Sequence, residues 1–293
     1  MSIRFILNPI SGKNKSSVAK IRRQILAHFP QAQLCVTTGP GHATQLAKEA
    51  AQNGFEKVVA IGGDGTINET AKGLVHTQTA LGIIPRGSGN GFAREIDMFW
   101  PLEQALVKLK TAAVAPCDVG LANGELFLNL AGVGIEAAVA WQFMEQAKTG
   151  QRGKWPYFTG ALHTFFSYKP PVLRVTLDGA THQWAPLTLV FANNRQYGSH
   201  FIIAPQARID DGQLEMVQVV QTNFCKLAAA LPFFFLGKRP PFGVTRMQPV
   251  KNAVIEAAQE ILYHIDGEPR KTGSRLEITV EPNALLLWRP CYG

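Results

Sequence analysis

Apolar positions in the first half of the chain follow two alternating rhythms. Ile3 to Leu7 is a short apolar run and predicts a strand. Val18, Ile21, Ile25, Leu26 and Phe29 then recur at helical spacing behind Ser16 or Ser17, either of which suits an N-cap. The same succession returns with a strand at 34–37 and a helix on Ala43, Leu46, Ala47 and Ala50. It returns again with a β-branched run at 58–61, whose helix carries Ala71, Leu74 and Val75 and opens around Thr66, Asn68 and Glu69. A fourth strand is expected at 81–85 and a helix at 102–109. Strand, turn and helix in series predict a doubly wound parallel α/β sheet, in which ligands bind at the carboxyl ends of the strands.

The rhythm changes after Cys117-Asp118-Val119-Gly120. Short alternating runs at 126–130, 172–177, 186–192, 214–220, 254–257 and 276–280 are separated by turn signals such as Asp178-Gly179, Asp211-Gly212 and Asp266-Gly267. Segments 135–148 and 155–167 have helical spacing. The expected organisation is an α/β domain over residues 1–122 and a β-rich domain over 123–281, with a tail strand at 284–288 that returns to the first domain as part of 282–293. The apolar, aromatic run 227–239 ends in Lys238-Arg239 and reads first as a core helix, with lipid contact as the alternative.

Composition narrows this further. The 293 residues are 46% hydrophobic and 17% charged, enough for two cores and contrary to disorder. The net charge of +8 suits nucleotides, nucleic acid or anionic headgroups, and charge alone does not choose among them. With no block of consecutive Lys and Arg, nucleic acid is not an expected partner. Cys35, Cys117, Cys225 and Cys291 are widely spaced, so neither a zinc site nor a disulfide framework is expected. The apolar run at the N-terminus is too short for a signal peptide, and no apolar segment has the length of a membrane span. A cytoplasmic protein, at most peripheral to a membrane, is the expectation.

The candidate chemistry lies in two glycine-rich loops. Gly62-Gly63-Asp64-Gly65-Thr66 follows a strand and opens a helix, and Arg86-Gly87-Ser88-Gly89-Asn90-Gly91 does the same after the next strand. Unobstructed backbone amides at a helix N-terminus favour phosphate. Asp64 would repel phosphate unless it holds a metal ion or contacts a donor hydroxyl. Asn68 and Glu69 also have a plain structural reading as helix caps. His42 and the other histidines read as packing or turn residues.

Taken together, Asn8-Pro9-x-Ser11-Gly12, Thr38-x3-His42-Ala43, Gly62-Gly63-Asp64-Gly65-Thr66-x-Asn68-Glu69 and Gly82-x-x-Pro85-x-Gly87-Ser88-x-Asn90-x-Phe92-Ala93-Arg94 resemble the diacylglycerol kinase catalytic family. So do Asp118-x-Gly120, Asn129-x4-Gly134, Asn193-Asn194-x-x-Tyr197-Gly198, Ala204-Pro205, Asp210-Asp211-Gly212 and Asp266-Gly267-Glu268 farther along. The family includes bacterial soluble lipid kinases and, more distantly, sphingosine and ceramide kinases; NAD kinases share the Gly-Gly-Asp-Gly loop. Gly91 departs from the pattern, because many relatives carry Asp there.

The resemblance implies an α/β nucleotide domain with a β-sandwich domain, an active site in the cleft between them, and an ATP- and Mg2+-dependent transfer to a lipid hydroxyl at a membrane surface. Asn8, Thr38, Gly62, Gly63, Asp64, Gly65, Thr66, Asn68 and Ser88 would hold the nucleotide. Glu268 would be the general base, supported by Asp266, with Asp64 as rival base or as metal contact. Asp211, with the carbonyls of Arg208 and Gln213, would hold a second, structural magnesium. Diacylglycerol is one acceptor among several lipids left open. A kinase for NAD or a sugar, a non-catalytic nucleotide sensor, and a homodimer are also left open.

Overall fold

The computed structural model describes residues 2–12, 17–87, 89–148, 168–197, 201–241 and 243–290. Ser88 and the helix expected at 155–167 lie outside these residues. The chain divides into two units, Met1–Val119 with Pro282–Gly293, and Gly120–Glu281.

The first unit contains β1 (Ile3–Leu7), α1 (Val18–His28), β2 (Gln33–Val36), α2 (His42–Gln52), β3 (Lys57–Gly62), α3 (Asp64–Leu74), β4 (Ala80–Pro85), α4 (Gly91–Glu95) and α5 (Leu102–Lys110). Its strands pair in parallel in the order β2-β1-β3-β4. All five β1 residues are buried, and β3 is buried from Val58 to Gly62, as strands covered on both faces require. Ser17 caps α1 by accepting from the Lys20 amide. Helix α3 begins at Asp64, two residues before the Thr66 opening expected from sequence, with Gly63 at its N-cap. The start moves forward because Gly62 and Gly63 end the strand without a linker, so the turn itself becomes the first turn of helix.

In the second unit the end of β5 (Ala113–Ala122) pairs with β6 (Glu125–Phe127). It continues with β7 (Leu130–Gly134), α6 (Ile135–Lys148), β8 (Leu173–Leu177), β9 (Ala180–Trp184), β10 (Thr188–Ala192), β11 (Leu214–Val219) and α7 (Phe224–Phe235). Strands β12 (Thr245–Val250), β13 (Asn252–Ala257), β14 (Ile261–Ile265), β15 (Glu268–Thr272) and β16 (Arg275–Arg289) follow. One antiparallel sheet runs β12-β11-β10-β7-β14-β15; β9, β8, β13 and the start of β16 pair in the other.

Period-two alternation builds the sandwich. Val175, Ile255 and Ile278 meet Leu189, Phe191, Met216 and Ile265 in one core. The opposite faces of β10 and β11 send Val190, Ala192 and Val217 against Ile203, Ala204 and Ala207.

Strand β16 replaces two strands expected separately from sequence. Its start pairs with β13, while Leu287 pairs in parallel with Leu81 of β4. Pro282 has no amide and Asn283 has φ 54°, which together read as a break. The Asp118 carboxylate accepts the Asn283 amide at 2.8 Å, so the chain bends there without losing strand geometry.

Candidate active site

In the first unit, three loops converge at the carboxyl ends of β1, β3 and β4, and they touch through backbone. A Cβ on Gly87 would lie 2.8 Å from the Gly63 Cα, while within the first loop one on Gly62 would lie 2.5 Å from the Thr66 side chain. Gly12, at φ +90°, packs against the Arg86 carbonyl, where a Cβ would come within 2.7 Å. The Arg86 amide donates to the Gly62 carbonyl at 2.6 Å. The glycines serve this packing of backbone on backbone as much as anion access.

Asp64 joins the two glycine-rich loops. Its Oδ2 accepts the Asn90 amide at 2.8 Å, and Asn90 in turn clamps Gly87 through its side chain, accepting from the Gly87 amide at 3.0 Å and donating to its carbonyl at 2.6 Å. Asn90 adopts the left-handed conformation, φ 52°. Asp64 Oδ1 is buried and has no hydrogen-bond partner among the described residues. A buried carboxylate oxygen without a donor, at a helix N-terminus, fits a hard divalent cation.

Beside these loops lies a cavity of about 270 Å3 lined in part by Asn8, Thr38, Gly39, Gly65, Thr66 and Glu69. Asn8 Nδ2 donates to Thr66 Oγ1 at 3.0 Å, while its Oδ1 accepts the Ile10 amide. Thr38 is held by His42, whose Nδ1 accepts the Thr38 amide at 3.0 Å and lies 2.9 Å from its hydroxyl. His42 therefore positions a cavity residue, a role its turn-like sequence context does not announce. The Glu69 carboxylate accepts the amides of Gly41 and Ala43, capping α2 from α3. Asn68 is buried within α3 and does not line the cavity. Ser88 is outside the described residues.

In the second unit, Asp266 and Gly267 both have positive φ, 49° and 85°, as a two-residue hairpin between β14 and β15 requires. The Asp266 carboxylate accepts three amides, from Leu128 at 3.1 Å, Asn129 at 2.9 Å and Leu130 at 3.0 Å. It fastens the hairpin tip to the 128–130 segment. Glu268 follows with its side chain 63% exposed and Oε2 3.1 Å from Arg270. Arg270 also makes a forked pair with Glu125 at 3.0 and 2.9 Å, and these carboxylates raise its pKa, Glu125 most.

Asp211 Oδ1 accepts the Gln213 amide at 3.1 Å, and the Arg208 side chain turns to Asp210. Burial first, and then the Asp211 charge, raise the Glu215 carboxyl above its ordinary value, with Arg239 opposing. No cluster of three or more His, Cys, Asp or Glu side chains suited to a metal occurs among the described residues. A site here would therefore depend on backbone carbonyls.

Sequence reasoning missed a polar group under α6. His264 is 1% exposed, and its Nε2 lies 3.4 Å from the Tyr197 hydroxyl and 3.8 Å from Glu136 Oε1. Both Glu136 oxygens are buried without a hydrogen-bond partner among the described residues. Burial, helped by the Glu136 charge, pushes the Tyr168 hydroxyl up to about 12. Tyr168 also lines a cavity of about 480 Å3 with Val133, Ala138, Leu173, Pro186 and Ile261. Only Tyr197 stands in a motif quoted from the sequence; the group as a whole has no local signal, because its members come from separate parts of the chain.

The comparisons with known proteins agree with this geometry. Residues 2–122 match the diacylglycerol kinase catalytic domain, and residues 129–289 match the YegS C-terminal NAD kinase beta sandwich-like domain. A protein of Pseudomonas aeruginosa named "Probable lipid kinase YegS-like" is 33% identical over 260 residues, covering 87% of this chain and 83% of its own. The diacylglycerol kinase of Bacillus subtilis is 28% identical over 274 residues, covering 90% and 89%. A crystal structure of a diacylglycerol kinase from Bacillus anthracis shares the fold, with TM-score 0.73 and 21% identity over 98% of this chain and 96% of that one. The parallel α/β unit with its paired glycine loops and the antiparallel sandwich unit correspond to these two matched domains. The chain belongs to the diacylglycerol kinase catalytic-domain family.

Proposed function

We propose that the chain is an ATP- and Mg2+-dependent kinase that transfers the γ-phosphoryl group to a hydroxyl of a diacylglycerol-like lipid. The observation that carries this reading is Asp64, with one carboxylate oxygen fixing the second glycine loop and the other buried without a donor. Asn8, Thr38, Gly65 and Thr66 hold the nucleotide, and the amides at the start of α3 take its phosphates. Gly62 and Gly63 keep that backbone unobstructed, Asn68 supports the helix from within, and Ser88 belongs to the second loop. A magnesium ion at Asp64 would neutralise charge on the phosphates.

Glu268 takes the proton from the acceptor hydroxyl. The acceptor oxygen bonds to the γ-phosphorus as the bond to the β-phosphate oxygen breaks, and ADP leaves. Asp266 positions Glu268 by fixing the hairpin. The cavity of about 480 Å3 takes an apolar chain of the acceptor. Asp211, with the carbonyls of Arg208 and Gln213, would hold a second cation, whose charge would offset the crowding of Asp211 and Glu215.

The test is transfer of labelled γ-phosphate from ATP with magnesium to a panel of lipids in mixed micelles, NAD included, using wild type and Asp64→Ala. A labelled lipid that disappears in the variant supports the reading and names the acceptor. Label on NAD alone replaces the lipid with a soluble acceptor. Tight ATP binding without label on any acceptor points to a nucleotide sensor.

A further inference from the structure

Helix α7 is apolar almost all round, yet only one stripe of it is buried. Leu227, Ala230 and Phe234, spaced by three and four, pack on Val219 and Val244. A second stripe, Phe224, Ala228, Leu231 and Phe235, is spaced by four, three and four and faces outward. Phe224 is 55%, Leu231 44%, Phe235 57% and the following Leu236 66% exposed. These are four of the eleven large exposed hydrophobics among the described residues, gathered within thirteen positions. The expectation of a core helix at this segment is corrected on that side.

Charge says what this face meets. The whole span 216–255 contains no Asp or Glu. Lys226 stands in the first turn of α7, and Lys238 and Arg239 follow its end, all three exposed. Arg239 is also within electrostatic reach of buried Glu215. An apolar stripe with cations at both ends and no carboxylate complements an anionic lipid surface. At twelve residues, about 18 Å, the helix is too short to cross a bilayer and the right shape to lie in its interface.

We propose that α7 docks the protein on an anionic bilayer, with Phe224, Leu231 and Phe235 entering the acyl boundary and Lys226 and Lys238 at the headgroups. This rests on the lipid-kinase reading only in that a docked enzyme meets its acceptor in the membrane. The surface is itself independent of catalysis.

The experiment is co-sedimentation of the full chain, without nucleotide, with vesicles of phosphatidylcholine alone or mixed with phosphatidylglycerol. Wild type is expected to bind the mixed vesicles, with binding weakened by salt. Leu231→Ser with Phe235→Ser should reduce the partition roughly tenfold or more. Lys226→Glu with Lys238→Glu, which leaves the packed stripe untouched, should reduce it roughly tenfold and abolish the preference for phosphatidylglycerol. Thermal unfolding checks that each variant is folded, and the charge pair decides if the apolar pair is not.

Wild type that ignores mixed vesicles, or binding unchanged in both variants, overturns the proposal. So does a wild-type dimer that the apolar variant turns into a monomer, because the stripe would then belong to a second copy. Kinase activity on lipid dissolved in detergent micelles should survive in both variants. Its absence from wild type as well would defeat the kinase reading and leave the vesicle result standing.

Discussion

The Asp64 carboxylate accepts the amide of Asn90 at 2.8 Å, a bond between residues 26 positions apart that ties the two glycine-rich loops together. Gly91, where the resemblance leads one to expect Asp, falls one residue beyond this joint. Asn90 keeps its clamp on Gly87 with its own side chain, so the second loop retains its shape without an acidic residue after it.

Asp64 therefore has two separable roles. Asp64→Asn keeps an oxygen that can accept the Asn90 amide but removes the charge; Asp64→Ala removes both. Phosphoryl transfer should fall by roughly 100-fold or more in each. Only the Ala variant should lose about 1–2 kcal/mol of stability. Denaturant titration beside a transfer assay separates the two, and an Asn variant with near-normal turnover would rule out the charge-dependent role.

Gly87→Ala tests the contact between loops. The added methyl would meet the Gly63 Cα at 2.8 Å, a backbone neighbour that cannot rotate away. The expected outcome is a loss of roughly 1–3 kcal/mol together with weaker nucleotide binding, read by thermal unfolding and ATP titration. Unchanged values for both would show that the loops have room to part.

The parallel unit was legible in the sequence because its strands are buried on both faces and each is followed by a helix-starting turn. Ile3–Leu7 and the 58–61 run carry that signal unaided. The sandwich was less legible. Strand β15 (Glu-Pro-Arg-Lys-Thr) could not be read from its residues, because it has no apolar alternation, and β14 (Ile261–Ile265) was passed over although its run is apolar; the Asp266-Gly267 turn between them was the signal that survived. Helix α7 was misread on its outer side because apolar periodicity reports a buried face only where polar residues mark the other. At the site, Asn8, Thr38, Gly65 and Thr66 were named from motifs and line one cavity. His42, Asn90 and Arg270 were not assigned, since each acts by holding another residue.

Asp266 illustrates such a holding role. Asp266→Ala would leave three amides of the 128–130 segment without their acceptor. A loss of roughly 2–4 kcal/mol is expected, with a lowered unfolding midpoint even when nucleotide is absent. A variant as stable as wild type would show that water replaces the carboxylate.

Glu268→Gln should behave oppositely. Its side chain is 63% exposed and Arg270 keeps its forked pair with Glu125, so stability should change by less than about 1 kcal/mol. Turnover should fall by roughly 100-fold or more while ATP affinity is retained. Calorimetric ATP binding together with single-turnover transfer distinguishes loss of the base from loss of the fold. Turnover close to wild type would remove Glu268 from the mechanism.

The Glu215 carboxyl gives a pH-dependent test of the second cation site. Burial, then the neighbouring Asp211 charge, hold its folded-state pKa above the unfolded value of 4.5. In the window above that value the folded state retains the proton more than the unfolded state does. The contribution is thus full below the unfolded pKa and is lost as pH rises through the folded one. A cation between Asp211 and the carbonyls of Arg208 and Gln213 would oppose that loss by favouring the charged carboxylates. Added magnesium should therefore raise the unfolding midpoint more at pH 7 than at pH 4, where protonated carboxyls compete with the metal. In Asp211→Ala the magnesium response should shrink to whatever the Asp64 site contributes, and the loss of stability on raising pH from 4 to 7 should become shallower because the like charge is gone. Thermal scans at the two pH values, with magnesium and with chelator, read both effects. An equal magnesium response in wild type and Asp211→Ala would place the ion elsewhere.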